Sequence, residues 1–122
     1  MTGYVTARRI PLLPLRVRGP AAPPVDIVAV LDTGFTGDLA LPAATAAALG
    51  LTPAYTRPYF LADGSTVDVE IFDAEVEWGP GWRAVKALAI GPDPAVGMAL
   101  LEDHKLFMEV IAAGVIDIQP MP

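Results

Sequence analysis

Glycine and proline interrupt this 122-residue chain so often that it has little room for a long helix: 11 residues are glycine and 13 are proline. Both residue types end helices and mark turns. Their share stays below that of low-complexity sequence, and 53% of the residues are hydrophobic, which is too apolar for a disordered chain. A chain of this length can bury a core of its own. The sequence therefore predicts one domain over residues 1–122, built from short strands and turns.

Short apolar runs between the turn signals predict an all-β fold of about eight strands, closed or sandwiched, with one or two short helices. The clearest strand is Val25–Leu31, whose length and valine content favour a buried strand over a helix. Pro11 and Pro14 interrupt the first apolar run and indicate an edge strand or a bulge. The other predicted strands are 4–18, 59–62, 66–72, 72–78 and 82–90, and the tail 109–119 is predicted to be a hairpin turning near Ala113-Gly114.

Turns and helices complete this prediction. Segments 41–51 and 98–105 are predicted helices; Pro42 suits the first turn of the former and Gly50 its end. Residues 19–24, rich in proline, glycine and alanine, are a predicted loop. Asp63-Gly64 between two strand-like runs predicts a two-residue hairpin turn.

The composition excludes several kinds of chemistry. There is no cysteine, so disulfides, thiolate catalysis and cysteine-based metal sites are ruled out. His104 is the only histidine and Ser65 the only serine, so a His-rich metal site is impossible. A Ser-His-Asp triad would need both residues, and no G-x-S-x-G motif surrounds Ser65. We expect no metal and no cofactor.

The charge balance and hydropathy limit the partners. The net charge is −6 and only two residues are lysine, whereas binding to a phosphate backbone needs clustered Lys and Arg. No apolar run approaches the roughly 20 residues of a membrane-spanning helix, and Arg and Pro fall where a signal peptide would be apolar. We expect no nucleic-acid partner, no membrane partner and a cytoplasmic location.

Asp32 is the residue that most needs an explanation. It follows the apolar end of the predicted strand Val25–Leu31, where a carboxylate is costly unless it is hydrogen-bonded or shares a proton. Thr33 places a hydroxyl beside it, and Gly34 allows another backbone or a ligand to approach closely. An aspartate at a strand end is also commonly just a turn former, so the tripeptide alone leaves both interpretations open.

The wider run 28–42, VAVLDTGFTGDLALP, resembles the active-site region of the single-domain, retropepsin-like (clan AA) aspartic proteases of prokaryotes, in which a DTGF form is recognisable. Two more segments fall in the order of that family. Residues 59–72 occupy the place of its flap hairpin, and Val96-Gly97 occupies the place of its hydrophobic-Gly motif before a short helix. Ala99 stands where family members often carry Asp or Asn, and the flap tip is less glycine-rich than in viral enzymes.

The resemblance implies a closed retropepsin-like β-barrel and a homodimeric aspartic endopeptidase. Because the chain holds one Asp-Thr-Gly, the second catalytic carboxylate would come from Asp32 of a second copy related by a two-fold axis. Thr33 would hydrogen-bond across that axis. Gly34, which has no side chain, would leave space above the backbone for a peptide or protein substrate. The implied active-site loop continues through Phe35 and Thr36. The implied flap residues, which would cover the substrate, are Phe60, Leu61, Ala62, Asp63, Gly64 and Ser65.

Several alternatives remain open at this point. The same dimeric fold could serve as a peptide- or protein-binding module without catalysis, or Asp32 could be a turn residue in another small β fold. The C-terminal segment 115–118 is either the dimer seam or core. We expect His104 to be a solvated surface residue, Trp78 and Trp82 to be partly buried packing residues, and Asp38 to support the loop. The acidic residues that alternate along 68–77 indicate a solvated face or, alternatively, a preference for basic peptides; they are Asp68, Glu70, Asp73, Glu75 and Glu77.

Overall fold

The computed structural model describes residues 1–20 and 22–122 of the chain. It contains ten strands and two short helices. In chain order these are β1 (Thr2–Val5), β2 (Pro11–Arg18), β3 (Val25–Leu31), β4 (Leu39–Leu41), α1 (Ala43–Ala48), β5 (Pro53–Phe60), β6 (Thr66–Trp78), β7 (Gly81–Ala89), β8 (Ala95–Val96), α2 (Met98–Leu101), β9 (His104–Met108) and β10 (Val115–Pro120).

All ten strands belong to one sheet, with the order β5-β6-β7-β4-β8-β3-β2-β1-β10-β9. An additional pairing of β2 with β6, through Val17 and Val76, closes the six strands from β6 to β2 into a barrel. Both valines are fully buried. The barrel encloses the main hydrophobic core, and the predicted all-β class with one or two short helices is confirmed.

β3 has the bounds that the sequence predicts, Val25–Leu31. Its burial is less uniform than expected, since only Ala29 and Leu31 are buried and the first residues of the strand face solvent. This follows from its position: the carboxyl end of β3 enters the barrel beside β8, while the other end pairs only with β2.

Pro14 lies inside β2 rather than between two strands. One edge of β2 pairs with β3, and the opposite edge pairs with β1 at Pro11 and Leu12 and with β6 at Val17 and Arg18. Pro14 falls in the gap between these two contacts, where that edge is free. The missing amide hydrogen is tolerated there, so the predicted edge character holds locally.

The first predicted helix is shorter than 41–51. Leu41 ends strand β4, which runs parallel to β7, and Pro42 is the N-cap residue rather than part of the first turn. The predicted end is confirmed, because Gly50 follows the C-cap with φ of 66°, a conformation that favours glycine.

Two other predictions near turns are corrected. Helix 98–105 stops at Leu101, and Asp103 with φ of 63° leads directly into strand β9. The C-terminal hairpin therefore has β9 and β10 as its arms, with residues 109–114 as its loop, instead of lying wholly within 109–119. In the predicted loop 19–24, Ala21 lies outside the described residues. No helix in the described part of the chain is long and apolar enough to span a membrane.

Candidate active site

Asp32 directly follows β3 and is held by its backbone against β8. Its amide donates a hydrogen bond to the carbonyl of Val96 (2.9 Å), and its carbonyl accepts one from the amide of Phe35 (3.1 Å). The carboxylate Oδ1 accepts a hydrogen bond from the amide of Gly34 (2.9 Å). The carboxyl group is thus oriented by its own loop, and the residue is exposed to solvent in the single chain.

The loop after Asp32 is fastened to the segment that follows β8. The amide of Gly97 donates to the carbonyl of Asp38 (2.9 Å), and that of Met98 donates to Phe35 (2.8 Å). The amide of Ala99 donates to the carbonyl of Gly37 (3.2 Å). The structure therefore brings the two candidate motifs, Asp32-Thr33-Gly34 and Val96-Gly97, into direct contact. The Asp32 loop has the rigid backing that a catalytic group needs.

Asp38 contributes a second attachment, through its side chain. Its Oδ2 accepts a hydrogen bond from the backbone amide of Lys86 on β7 (3.0 Å), while its carbonyl holds Gly97. The expectation that Asp38 supports the loop agrees with these contacts.

Phe35 connects the Asp32 loop to the base of the predicted flap. Its half-buried ring packs on a small cluster of Val69, Ile71 and Leu88, and Tyr59 packs on the same cluster. Val69 and Ile71 belong to β6 and Tyr59 to β5. Hence the β5–β6 hairpin and the loop of Asp32 share one patch of apolar contacts.

The tip of this hairpin has a three-residue loop instead of the predicted two-residue turn. The amide of Leu61 donates to the carbonyl of Ser65 (2.8 Å), and Gly64 has φ of 86°, as expected where a turn ends in a left-handed residue. The carboxylate of Asp63 accepts hydrogen bonds from the Ser65 hydroxyl (2.5 Å) and amide (2.9 Å). These two bonds hold the pKa of Asp63 below its ordinary value.

The residues predicted to form the flap project apolar side chains into solvent. Phe60 is 82% exposed and Leu61 is 45% exposed, and Ala62 is exposed beside them. Thr33 and Thr36 are also exposed, and their hydroxyls make no hydrogen bond to the described part of the chain. Apolar side chains this exposed at a hairpin tip are typical of a surface that meets a ligand or a partner.

A cleft of about 320 Å³ opens beside Asp32. Its walls come from the end of β3, from β4 and from the loop between β7 and β8. The lining residues are Val30, Asp32, Phe35, Ala40, Ile90, Gly91, Pro92, Asp93, Pro94 and Ala95. This is the size range of a site for one large side chain or a small ligand.

A larger cavity of about 570 Å³ lies elsewhere, over the outer face of β2 and β3. Arg16, Asp26 and Glu77 line it, and Arg16 pairs with both carboxylates. In the described residues, no group of three or more His, Asp or Glu side chains is placed to hold a metal ion.

His104 departs from the expectation of a solvated residue. It is half-buried; its Nε2 accepts a hydrogen bond from the indole of Trp78 (3.1 Å), and its Nδ1 lies 2.7 Å from the carbonyl of Glu102. The Ser65 hydroxyl bonds to Asp63 and not to His104, so Ser65 and His104 form no nucleophile–base pair. Trp78 is buried, and Trp82 is half-buried with the Arg18 guanidinium stacked at 4.0 Å from its ring.

Three of the five acidic residues of β6 are ion-paired. Glu75 pairs with Arg18, Glu77 with Arg16, and Asp73 with Lys86, and the bond to Asp73 raises the pKa of Lys86. This is the arrangement of a solvated face with internal pairing, and exposed pairs of this kind contribute little stability.

The C-terminal strand β10 is interior to the sheet. It pairs with β1 on one edge and with β9 on the other, and Ile116 and Ile118 are buried in the core. Core packing therefore accounts for the apolar character of 115–118. The free edge at this end of the sheet belongs to β9.

One solved structure with this arrangement is described as a retropepsin-like aspartic protease from Rickettsia conorii. It aligns with 99% of this chain and 89% of its own length, at a TM-score of 0.62 and 20% sequence identity. No protein-family model matches the sequence, and no curated protein matches it. The structural likeness establishes the architecture: the chain has the retropepsin-like fold, a closed six-strand β-barrel with few short helices.

Proposed function

We propose that this protein is an aspartic endopeptidase that works as a homodimer, with one Asp32 from each copy. The observation that carries the proposal is the set of backbone hydrogen bonds that hold the Asp32 loop. Within a retropepsin-like fold, the loop that contains the intact Asp-Thr-Gly is bonded to Val96, Gly97 and Met98. These bonds hold the loop so that the exposed carboxylate of Asp32 is presented in one orientation.

The chemistry follows from placing two carboxylates in one site. Two like charges a few ångströms apart cannot both ionise easily, so the pair of Asp32 side chains holds one proton. The ionised carboxylate takes a proton from a water molecule, whose oxygen attacks the scissile carbonyl carbon. The protonated carboxyl group gives its proton to the carbonyl oxygen. The carbon–nitrogen bond then breaks: the carboxyl group that took the proton from water gives it to the amine nitrogen, and a hydroxyl group of the intermediate returns a proton to the other carboxylate, so that the pair again holds one proton.

A second copy is required because one chain carries a single Asp-Thr-Gly. In this proposal Thr33, whose hydroxyl has no partner in the described chain, bonds across the two-fold axis. Gly34 lies beneath the substrate: a Cβ atom there would stand 3.2 Å from Asp32 Oδ1, so a side chain would crowd the carboxylate.

The free edge of β9 supports a specific docking surface for that second copy. Four apolar side chains on β9 and the loop after it are exposed, by 36–64%: Leu106, Phe107, Val110 and Ile111. We call them the β9 surface. An unpaired strand edge flanked by apolar side chains is suited to antiparallel pairing with its own symmetry mate. The proposed seam is therefore the β9 surface rather than 115–118.

The β5–β6 hairpin is the proposed lid. Because its base shares the apolar cluster with Phe35, closing the hairpin over a peptide would press on the same loop that orients Asp32. Phe60 and Leu61, exposed in the free chain, would then contact the substrate and exclude water from the reacting carbonyl.

The test is cleavage of a diverse peptide library from about pH 4 to 8, read by mass spectrometry, with Asp32→Asn protein in parallel. Sedimentation in the same buffer gives the oligomeric state. Cuts made by the wild type and absent from the variant support the proposal, and the rate should not keep rising above pH 9. A dimer that binds peptides without cutting them would indicate a binding module. A strict monomer at micromolar concentration would count against both functions.

A further inference from the structure

The cleft beside Asp32 has an unusual balance of charge. Most of its lining is apolar, from residues such as Val30, Phe35, Ala40 and Ile90. Apart from Asp32 the only ionisable side chain in the lining is that of Asp93, and the lining contains no basic residue. A long apolar wall with a single further carboxylate is a poor match for an acidic ligand and a good match for an aliphatic chain that ends in a cation.

The backbone at Asp93 is restrained by its neighbours. It stands between Pro92 and Pro94, whose rings restrict the backbone, and the carbonyl of Pro94 accepts a hydrogen bond from Val30 on β3 (2.9 Å). The loop that carries Asp93 is thereby tied to the strand that carries Asp32.

The carboxylate of Asp93 also has no bonding partner among the described residues. It is exposed and, within the described residues, makes no hydrogen bond and no ion pair, whereas Asp73, Glu75 and Glu77 on β6 are each paired with a cation. An unpaired carboxylate on a restrained backbone, at the edge of an apolar cleft, is available to a ligand.

We propose that the cleft selects lysine or arginine at the substrate position that enters it, with the aliphatic stem along the apolar wall and the cationic head at Asp93. This inference rests on the proposed function for the identity of the ligand, a peptide. It names Asp93 as a specificity-determining residue that takes no part in the chemical step.

The experiment compares matched peptides that carry lysine or norleucine on either side of the scissile bond. Norleucine keeps the stem and lacks the charge. An exposed ion pair corresponds to about a two- to fivefold preference, so we expect kcat/KM to favour lysine by that factor at low salt. The preference should shrink toward 1 M salt, where charges are screened over about 3 Å.

Three variants test the assignment. Asp93→Asn should abolish the preference, and Asp93→Lys should reverse it, so that the norleucine peptide is cleaved faster than the lysine peptide. Asp26→Asn is the matched control: it removes one negative charge from β3 four residues before Val30, the residue bonded to the Asp93 loop, which is about 13 Å along the strand, and it should keep the preference. Equal rates for lysine and norleucine in the wild type, or a preference that survives in Asp93→Asn, would overturn the inference.

Binding of the same peptides to Asp32→Asn protein, measured by fluorescence anisotropy, separates this inference from the proposed function. Tighter binding of the lysine peptide that is lost in Asp32→Asn/Asp93→Asn, in a protein whose wild type cuts nothing, would support the inference and overturn the catalytic proposal. Equal binding of both peptides alongside normal wild-type cleavage would do the reverse. Neither binding nor cleavage would overturn both.

Discussion

The backbone of Gly97 lies so close to the carbonyl oxygen of Gly37 that no side chain fits between them. A Cβ atom on Gly97 would overlap that oxygen, and it would lie 2.6 Å from Cδ2 of Phe35 and 2.7 Å from the Phe35 carbonyl oxygen. The hydrogen bonds from Gly97 and Met98 to the Asp32 loop draw the two segments together at this point. Glycine at position 97 is therefore a requirement of the site's geometry.

We expect Gly97→Ala to destabilise the fold by about 1–3 kcal/mol, the usual cost of overpacking, because two of the three opposing atoms are backbone carbonyl oxygens that cannot rotate away. It should also abolish cleavage, since the Asp32 loop must move. Urea denaturation measures the first effect. Gly81→Ala is the control, since a Cβ atom there has no neighbour within 4 Å; equal midpoints for the two variants would contradict the explanation.

Much of the site could be predicted from the sequence because its signals are local. Val25–Leu31 is an apolar run with a sharp end, and the Asp-Thr-Gly that follows it is recognisable together with the run 28–42 around it. Gly50 ends α1 as predicted because a left-handed residue there favours glycine.

The remaining elements depend on contacts distant in sequence. β4 and β8 are three and two residues long, and they are strands only because β7 and β3 pair with them across the barrel. Leu41 therefore extends a strand, although the alanines after it favour a helix. Asp103 adopts the left-handed conformation that turns the chain from α2 into β9. Because the residue is not glycine, the sequence does not predict a turn at this position.

Ser65→Ala should raise the pKa of Asp63 part of the way to its ordinary value of 3.8, because the hydroxyl bond is lost while the amide bond remains. In the wild type the folded-state pKa is the lower one, so the stabilisation is present above the ordinary value and is lost as the pH falls through the folded value, below 3.8. The flap turn should loosen only in that acidic range.

A ¹³C NMR titration of the Asp63 carboxyl group measures this pKa directly. Ser65→Thr is the matched control, because it keeps the hydroxyl and should keep the low value. An identical Asp63 titration in the wild type and in Ser65→Ala would show that the hydroxyl bond does not shift the pKa.

Arg83→Met should destabilise the protein by about 1–3 kcal/mol, the range for hydrogen bonds to a charged group. The half-buried guanidinium donates to the carbonyls of Leu100 (3.2 Å) and Ala99 (3.3 Å) at the end of α2, and methionine fills similar space without donors. Because the Ala99 amide bonds to Gly37, amide exchange at Ala99 should also accelerate.

Arg8→Met is the control for that substitution, since the exposed Arg8 side chain makes no bond within the described chain, and its effect should stay within about 0.5 kcal/mol. Thermal denaturation compares the two variants, and hydrogen exchange followed by NMR reports on Ala99. Unchanged exchange at Ala99 in Arg83→Met would mean that the guanidinium does not steady the segment behind Asp32.

Phe107→Lys should convert the proposed dimer into monomers and remove cleavage, while leaving the monomer fold intact. Phe107 is 59% exposed on the free edge of β9, so the substitution removes no core contact. At a two-fold seam it would bring two lysines together on a strand edge, and charged residues at an edge block pairing. Loss of the seam would separate the two Asp32 carboxylates. Activity and the fraction of dimer should therefore fall together as the protein concentration is lowered.

Sedimentation velocity and peptide cleavage, measured over the same concentration series, check this expectation. Val28→Lys is the matched control: Val28 is 45% exposed on β3, away from the β9 surface, and the variant should stay dimeric and active. An active, dimeric Phe107→Lys protein would place the seam elsewhere. An active monomer would overturn the proposed mechanism, because a single carboxylate cannot hold the shared proton on which that mechanism depends.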